Sequence, residues 1–289
     1  MQLSVVRRGF NYGQDGPGNR LVIHLQGCNL RCPWCSNPEG IAPRGTLMET
    51  GKPIPAHICP YGGILDGRLK RSVCDACVDR PCLSHPDRLG IAVSCARLPV
   101  ETLLTECEQG RPLFFDGGGV TLTGGEPTLQ FEAVEALLGG LRKRGIDTAM
   151  ETNGLHALLP SLFPLLDLLI VDCKHPNPEK HREVTGRSNA VTLRNLDQAF
   201  ANHPNLLVRT PLIHGFNDDD AALEGFRAFY RGKDTRRARF EFLRYHAFGA
   251  VKWQQCGMPY EMRDADVPEE TRERFEQALR ADGHTVVRT

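Results

Sequence analysis

The sequence predicts an α/β fold: a partial (β/α)6 TIM-like barrel that carries an inserted cysteine-rich domain. Two observations support this fold class. Strand-like and helix-like segments alternate through most of the 289 residues, which is typical of parallel sheets with right-handed crossovers. A polar motif also follows each predicted strand, and active sites of barrels and open α/β sheets form at that edge.

Six strands are predicted from short apolar runs. They span residues 20–26, 120–123, 146–151, 167–172, 205–211 and 239–244. The fourth run is apolar throughout, as expected for a strand that is buried on both faces. Helices are predicted for residues 131–144, 195–201, 221–230 and 269–281, and the first of these has an apolar stripe at helical spacing. Six strands make an incomplete barrel, with one side open.

Residues 40–99 interrupt this alternation. The segment is rich in cysteine, proline, glycine and charge, and it shows no helix or strand period. So long a stretch would make a poor loop inside a compact domain, and a unit this short cannot bury a large core. We therefore predict that residues 1–39 and 100–289 form the barrel, and that residues 40–99 form an insert held together by metal.

The amino-acid composition argues against some classes of binding partner. The chain has 35 basic and 35 acidic side chains and a pI near 7.1, so bulk charge predicts neither nucleic-acid nor membrane binding. No apolar run has transmembrane length, and the first residues lack a signal h-region. Eleven cysteines, an odd number, argue against a disulfide framework. We expect a cytoplasmic protein whose clustered cysteines bind metal.

The most specific motif is C-x3-C-x2-C, formed by Cys28, Cys32 and Cys35 directly after the first strand. Thiolates bind iron–sulfur clusters or zinc, but no fourth zinc ligand lies nearby in the sequence. Three thiolates on one loop leave one iron of a [4Fe–4S] cluster open, and an open position distinguishes a catalytic metal from a structural one. S-adenosylmethionine fits that position through its amino and carboxylate groups. The motif resembles the signature of the radical S-adenosylmethionine superfamily, with these three cysteines catalytic.

Further polar residues follow the other predicted strands. The glycines of Gly124-Gly125-Glu126 let a ligand approach the backbone, where carbonyls and Glu126 would hold a cationic amino group; a simple turn is the alternative. Lys174 is a candidate for the methionine carboxylate, or it forms an ion pair with nearby acids. His246 is either a ligand contact or a structural histidine. The predicted cofactor-binding residues are Trp34, Gly124, Gly125, Glu126, Glu151, Asn153, Asp172, Lys174, Arg209 and His246.

A second cysteine group lies in the insert. Cys59-Pro60 looks like the end of a bacterial ferredoxin motif, in which the cysteine before proline ligates the cluster of the other half. Cys74, Cys77 and Cys82 add three thiolates in a C-x2-C-x4-C pattern. Together the four would hold one closed auxiliary [4Fe–4S] cluster, and a zinc ribbon with the same ligands is the alternative.

The fourth auxiliary ligand has a competitor. Cys82 lies one residue beyond the usual ferredoxin spacing, so Cys95 is an alternative to it. His57 and His85 are weaker candidates.

Taken together, these motifs are similar to the glycyl radical enzyme activating enzymes, the pyruvate formate-lyase activase family, in its branch with a ferredoxin-like insert. The matching stretches are residues 15–18, 26–39, 117–127, 151–154, 172–174, 209–213 and 245–249. The insert departs from the family pattern, because it can ligate one auxiliary cluster where family members often carry two.

The resemblance implies a function and its partners. Such an enzyme reductively cleaves S-adenosylmethionine to a 5′-deoxyadenosyl radical, which abstracts hydrogen from a glycine Cα of a partner glycyl radical enzyme. A flavodoxin or ferredoxin-type protein would supply the electron. One alternative is another radical S-adenosylmethionine enzyme, either an anaerobic ribonucleotide reductase activase or a small-molecule enzyme. A non-catalytic iron–sulfur electron carrier is the other, although it has no use for six strand-end motifs.

Overall fold

A single nine-stranded sheet organises the computed structural model, which describes all 289 residues. The strands are β1 (Gln2–Tyr12), β2 (Asn19–Leu25), β3 (Leu47–Glu49), β4 (Ile64–Leu65), β5 (Arg68–Leu69), β6 (Ile91–Val93), β7 (Ala96–Pro99), β8 (Val120–Gly124), β9 (Thr148–Thr152), β10 (Leu168–Asp172), β11 (Leu206–Leu212), β12 (Ala238–Arg244) and β13 (Thr285–Val286). The α-helices are α1 (Arg71–Cys74), α2 (Val100–Gly110), α3 (Phe131–Lys143), α4 (Pro178–Thr185), α5 (Ala190–Asn202), α6 (Asp220–Tyr230), α7 (Ala250–Gln255) and α8 (Glu269–Ala281).

The sheet is mostly parallel, and its parallel strands follow chain order. Its order is β13-β12-β11-β10-β9-β8-β2-β1-β7. The six predicted strands correspond to β2 and β8 through β12, and each is parallel to the next. Because β7 and β13 remain as edges, the sheet does not close on itself. The α/β class with a partial barrel is confirmed.

The sequence did not predict strand β1, and it placed the start of helix α5 too late. β1 pairs antiparallel with both β2 and β7, and more than half of it is exposed, so it lacks the apolar run that marked the buried strands. Helix α5 begins at Ala190, five residues before its predicted start. The side chain of Asn189, which precedes it, donates to the His175 carbonyl at 2.6 Å instead of capping the helix.

Side-chain alternation along the strands separates the core from the site. On β10, Leu169 and Val171 belong to the main core of 41 buried residues, which also contains the apolar stripe of α3. Leu168 and Ile170 belong to a small cluster on the other face of the sheet. Because successive strand residues point to opposite faces, Asp172 extends the second face. Asp172, Arg209 and Glu241 are register neighbours and therefore share it.

Residues 41–95 form smaller elements beside the main sheet. They contain two two-stranded sheets, β3–β6 and β4–β5, and a separate core of eight buried residues that includes Cys74 and Cys82. The chain then returns to the main sheet through β7, which lies inside the range predicted for the insert. None of the helices combines the length and apolar character needed to cross a bilayer.

Candidate active site

The cysteine loop after β2 and the carboxyl ends of the parallel strands enclose one cavity of about 260 Å³. Cys28, Cys32 and Cys35 all line it. The backbone N–H groups of Leu30 and Asn37 each lie 3.4 Å from a sulfur, that of Cys28 and Cys35 respectively. Hydrogen bonds to sulfur tune a bound cluster, so the loop backbone is already arranged around the three sulfurs.

Cys32 is buried, whereas Cys28 and Cys35 are half-buried. Desolvation raises the pKa of Cys28 and Cys32 to about 12 and raises that of Cys35 as well. Neutral thiols are therefore the stable state without a metal, and metal binding must displace their protons. Three sulfurs that converge on one cavity, with no fourth cysteine on its wall, match a [4Fe–4S] cluster with one open iron better than a closed zinc site.

Two neighbouring glycines join the loop to the end of β8. Gly124 has φ +118°, and a Cβ there would lie 2.3 Å from the Leu25 nitrogen. A Cβ on Gly125 would lie 2.1 Å from the Gly27 carbonyl oxygen. Only glycine permits backbones to come this close. Both residues line the cavity and present main-chain groups to it.

Of the ten predicted cofactor-binding residues, eight line the cavity: Trp34, Gly124, Gly125, Glu151, Asn153, Asp172, Lys174 and His246. Glu126 and Arg209 lie outside its wall, which differs from the role we predicted for them. These eight residues come from five different parallel strands and the loops after them, as expected for the carboxyl edge of a barrel sheet.

Glu126 is fully buried and turned into the protein. Its carboxylate accepts hydrogen bonds from the backbone N–H groups of Thr128 at 3.0 Å and Asn153 at 2.8 Å, and from the Thr152 hydroxyl at 2.7 Å. Burial raises its pKa, while these donors oppose the shift. The side chain therefore positions the end of β9, whose Asn153 donates to Asn29 of the cysteine loop at 2.6 Å.

Arg209 contacts Glu151, which lines the cavity, but does not line the cavity itself. Its guanidinium pairs with Glu151 and, at 2.7 Å, with Glu241, so one cation serves two carboxylates. Burial raises the pKa of Glu151 to about 7, although Arg209 opposes the shift. The Arg209 side chain positions Glu151 from below.

Lys174 lies in the loop after β10, lines the cavity with its cationic side chain and is 8% exposed. Burial opposes its charge, but the paired Asp172 carboxylate and the nearby Cys32 and Cys28 sulfurs together outweigh burial and raise the pKa of Lys174. The ion pair that the sequence left open as an alternative is therefore present. An ammonium has three donors, so pairing with Asp172 leaves others for a ligand.

Aromatic residues form the remaining wall. Trp34 packs on Phe216, with ring centroids 5.0 Å apart. His246 stacks on Phe248 at 4.3 Å, and Phe248 is 81% exposed. An exposed phenylalanine beside the cavity leaves apolar surface open to a partner.

Helix α7, which the sequence did not predict, holds the cysteine loop from outside. On α7, Trp253 Nε1 donates to the Cys35 carbonyl at 2.8 Å, and Lys252 donates to the Ser36 carbonyl at 3.0 Å and to Asn37 Oδ1 at 2.6 Å. A Cβ on Gly249 would lie 2.6 Å from the Cys35 oxygen. The available signal was weak: Trp253 is one of two tryptophans and follows the 245–249 stretch closely.

Two of the four predicted auxiliary cysteines, Cys59 and Cys74, meet at Gly63. Its backbone N–H donates to Cys59 Sγ at 3.1 Å, and its carbonyl accepts from the Cys74 thiol at 3.3 Å. Burial raises the pKa of Cys82, and the neighbouring Cys59 and Cys77 thiols raise it further. Cys95 instead packs against Gly45, where an added Cβ would lie 2.6 Å from the Cys95 Cβ.

Comparisons with known proteins agree with this site. A family model described as the radical SAM superfamily matches residues 22–224. The indoleacetate decarboxylase activating enzyme of Tractidigestivibacter scatoligenes is 30% identical over 274 residues, 88% of this chain and 86% of that protein. The isethionate sulfite-lyase activating enzyme of Desulfovibrio desulfuricans is 35% identical over 272 residues, again 88% of this chain and 86% of that protein.

A solved structure shows the same fold. A radical SAM methyltransferase from Sphaerobacter thermophilus aligns with a TM-score of 0.54 and 16% identity, over 96% of this chain and 67% of that chain. Together with the family match, the fold and the three-cysteine loop define a radical SAM enzyme, a class that uses a [4Fe–4S] cluster and S-adenosylmethionine.

Within that superfamily, the chain belongs to the activating enzymes of glycyl radical enzymes. These enzymes act on a glycyl radical enzyme partner. The resemblance inferred from the sequence is confirmed, and the interpretation as a non-catalytic electron carrier is wrong.

We expect Gly125→Ala to prevent formation of the site, because its Cβ would meet backbone atoms of the cysteine loop at 2.1 Å. The measurement is iron bound per chain after anaerobic reconstitution. Gly139→Ala is the matched control, since its Cβ would meet nothing within 4 Å on α3 and alanine is favoured in helices by about 0.5–1 kcal/mol. Normal iron content in Gly125→Ala would contradict the close approach.

We expect Trp253→Phe to loosen the cysteine loop, because it removes the hydrogen bond to the Cys35 carbonyl. A hydrogen bond contributes about 1 kcal/mol, so a chelator should remove iron about fivefold faster. Val251→Ala, an exposed change on the same helix, should leave that rate unchanged. Equal rates for Trp253→Phe and the unsubstituted protein would show that α7 does not hold the loop.

Proposed function

We propose that the cavity beneath Cys28, Cys32 and Cys35 is where this activating enzyme generates its radical. The observation that carries the proposal is the convergence of three thiols on a cavity walled by the carboxyl ends of the parallel strands. When bound there, the cluster and S-adenosylmethionine supply a reductive cleavage that yields methionine and a 5′-deoxyadenosyl radical, which abstracts hydrogen from a glycine Cα of the partner enzyme.

Each wall residue suits one part of the substrate. The main chain of Gly124 and Gly125 would hold the amino group, since both present backbone to the cavity. Lys174 stays protonated beside Asp172, which suits a carboxylate. Trp34 offers an aromatic face for the adenine, supported from behind by Phe216. These residues orient the substrate and exclude water, which protects a reactive species.

The side of the cavity near His246 is suited to the entry of a protein substrate. His246 lines the cavity, and the adjoining Phe248 and Val251 are 81% and 62% exposed. Because the sheet keeps two edges, a glycine-bearing loop could enter from the side. We propose that the glycyl radical enzyme docks here.

We propose further that residues 41–95, the part of the predicted 40–99 insert that lies beside the main sheet, form a ferredoxin-like domain around one auxiliary [4Fe–4S] cluster on Cys59, Cys74, Cys77 and Cys82. The separate eight-residue core supports this proposal, because so small a core needs help from a metal. A flavodoxin or ferredoxin-type donor and a cytoplasmic location stay predictions.

Replacing one cysteine of the loop tests the radical site. We expect Cys32→Ala to abolish 5′-deoxyadenosine formation in reconstituted, dithionite-reduced protein, because a cluster held by two thiolates is not retained. Cys107→Ala, a buried thiol on α2 outside the cavity, should retain cleavage. Mixed anaerobically with its glycyl radical enzyme, the unsubstituted protein should give a glycyl doublet in electron paramagnetic resonance. Cleavage by Cys32→Ala would refute the assignment.

The auxiliary ligands can be tested separately. We expect Cys77→Ala and Cys82→Ala to lose the four irons of the auxiliary cluster while S-adenosylmethionine binding persists. Cys95→Ala should keep all iron, because Cys95 packs against Gly45 and makes no contact with Gly63, where Cys59 and Cys74 meet. The measurement is iron and sulfide per chain. Iron loss in Cys95→Ala, with full retention in Cys82→Ala, would reverse the ligand assignment.

A further inference from the structure

Three side chains of the insert form a cluster that the radical chemistry does not use: His57, His85 and Asp87. Their ligand atoms all lie within 4.8 Å of one another. Asp87 Oδ2 is 3.2 Å from His57 Nε2 and 3.8 Å from His85 Nδ1. The two imidazole rings meet edge to face, with centroids 5.2 Å apart.

Short turns anchored in the insert core hold these side chains. His57 lies in a 3-10 turn whose next residue, Ile58, is buried. His85 ends a second turn that contains the buried Cys82, and Asp87 directly precedes a third. The backbone positions are therefore set by the core, while the polar ends of the side chains reach solvent; the His57 side chain is 62% exposed.

The position of His85 also fits the arrangement of two-cluster ferredoxins, in which each half of the domain supplies one ligand to the metal centre of the other half. His85 precedes Pro86 as Cys59 precedes Pro60. In two-cluster ferredoxins, the residue before proline ligates the metal centre of the opposite half. Cys59 does reach the Cys74 group around Gly63. His85, in turn, reaches back to His57 in the first half, where other cysteines are absent.

We propose that His57, His85 and Asp87 bind one divalent transition-metal ion of the zinc type. Two imidazoles and a carboxylate are ligands that zinc binds readily, and this set contains none of the thiolates that hold an iron–sulfur cluster. Bonds of roughly 2.0–2.2 Å in a tetrahedron put ligand atoms roughly 3.3–3.6 Å apart, close to the observed 3.2 and 3.8 Å.

The tautomer of His85 suits this role. The Asp87 backbone N–H donates to His85 Nδ1 at 3.1 Å, so Nδ1 carries the lone pair. A neutral imidazole binds a metal through that lone pair, and the ion displaces the weak backbone contact. The fourth position is open to water.

A bound ion would join parts of the insert that are 30 residues apart in the chain. It would close the turn at His57 onto the segment after Cys82, and so support the loop that carries the auxiliary thiols. The proposal is independent of the radical function, because none of its three residues lines the main cavity.

The test measures Zn²⁺ binding to the full-length, iron-reconstituted protein by equilibrium dialysis against a competing chelator, together with zinc-edge X-ray absorption. We expect one Zn²⁺ per chain with nitrogen and oxygen neighbours only. His57→Ala/His85→Ala should weaken binding by at least the roughly 10–100-fold that loss of a supporting group costs. His214→Ala is the matched control, since His214 is an exposed histidine that pairs with Asp218 at 2.8 Å and belongs to no three-ligand group.

Asp87→Asn gives a second variant that keeps the side-chain shape and removes the carboxylate charge. It should weaken Zn²⁺ binding to a similar extent while iron content stays at the unsubstituted level. This variant keeps the proposal testable if the double histidine variant fails to fold. Sulfur neighbours at the zinc, or unchanged affinity in Asp87→Asn, would overturn the proposal. Loss of affinity in His214→Ala would do the same.

Discussion

The rest of the site depends on the close approach between the cysteine loop and the end of β8. The Gly125 and Glu126 backbone N–H groups donate to the carbonyls of Leu25 at 2.9 Å and Gly27 at 2.7 Å. This contact is possible only because Gly125 has no Cβ. The thiols and the main chain that faces the substrate are thus parts of one hydrogen-bonded unit, so moving either one displaces the other.

Around this unit, the buried cations Arg209 and Lys174 each contact a partner of opposite charge. Arg209 is shared by Glu151 and Glu241, and Lys174 is paired with Asp172. Removing Arg209 would leave two carboxylates without their cation, and an uncompensated buried charge costs about 3–5 kcal/mol. These contacts hold the charged side chains of the cavity wall in place before a ligand arrives. Preorganised groups of this kind orient a substrate without reorganisation when the reaction occurs.

The insert follows a different physical rule. Its core has eight buried residues, against 41 in the main core, and cores this small rarely stabilise a fold alone. Gly63 joins Cys59 to Cys74 through its two backbone groups, and the His57 cluster joins two further turns. Contacts among sulfur and polar side chains thus join turns that a larger domain would join through apolar packing.

The sequence by itself determined the α/β class, six parallel strands and the C-x3-C-x2-C loop, because strand periodicity and cysteine spacing are local. It also placed Lys174 and Gly125 at the correct edge of the sheet. The direction of the Glu126 and Arg209 side chains was decided by tertiary structure, since their partners Asn153 and Glu241 lie on neighbouring strands. The same holds for Trp253, which reaches Cys35 across 218 residues of chain. Contacts over such separations leave no periodic trace in the sequence, because only packing brings the two segments together.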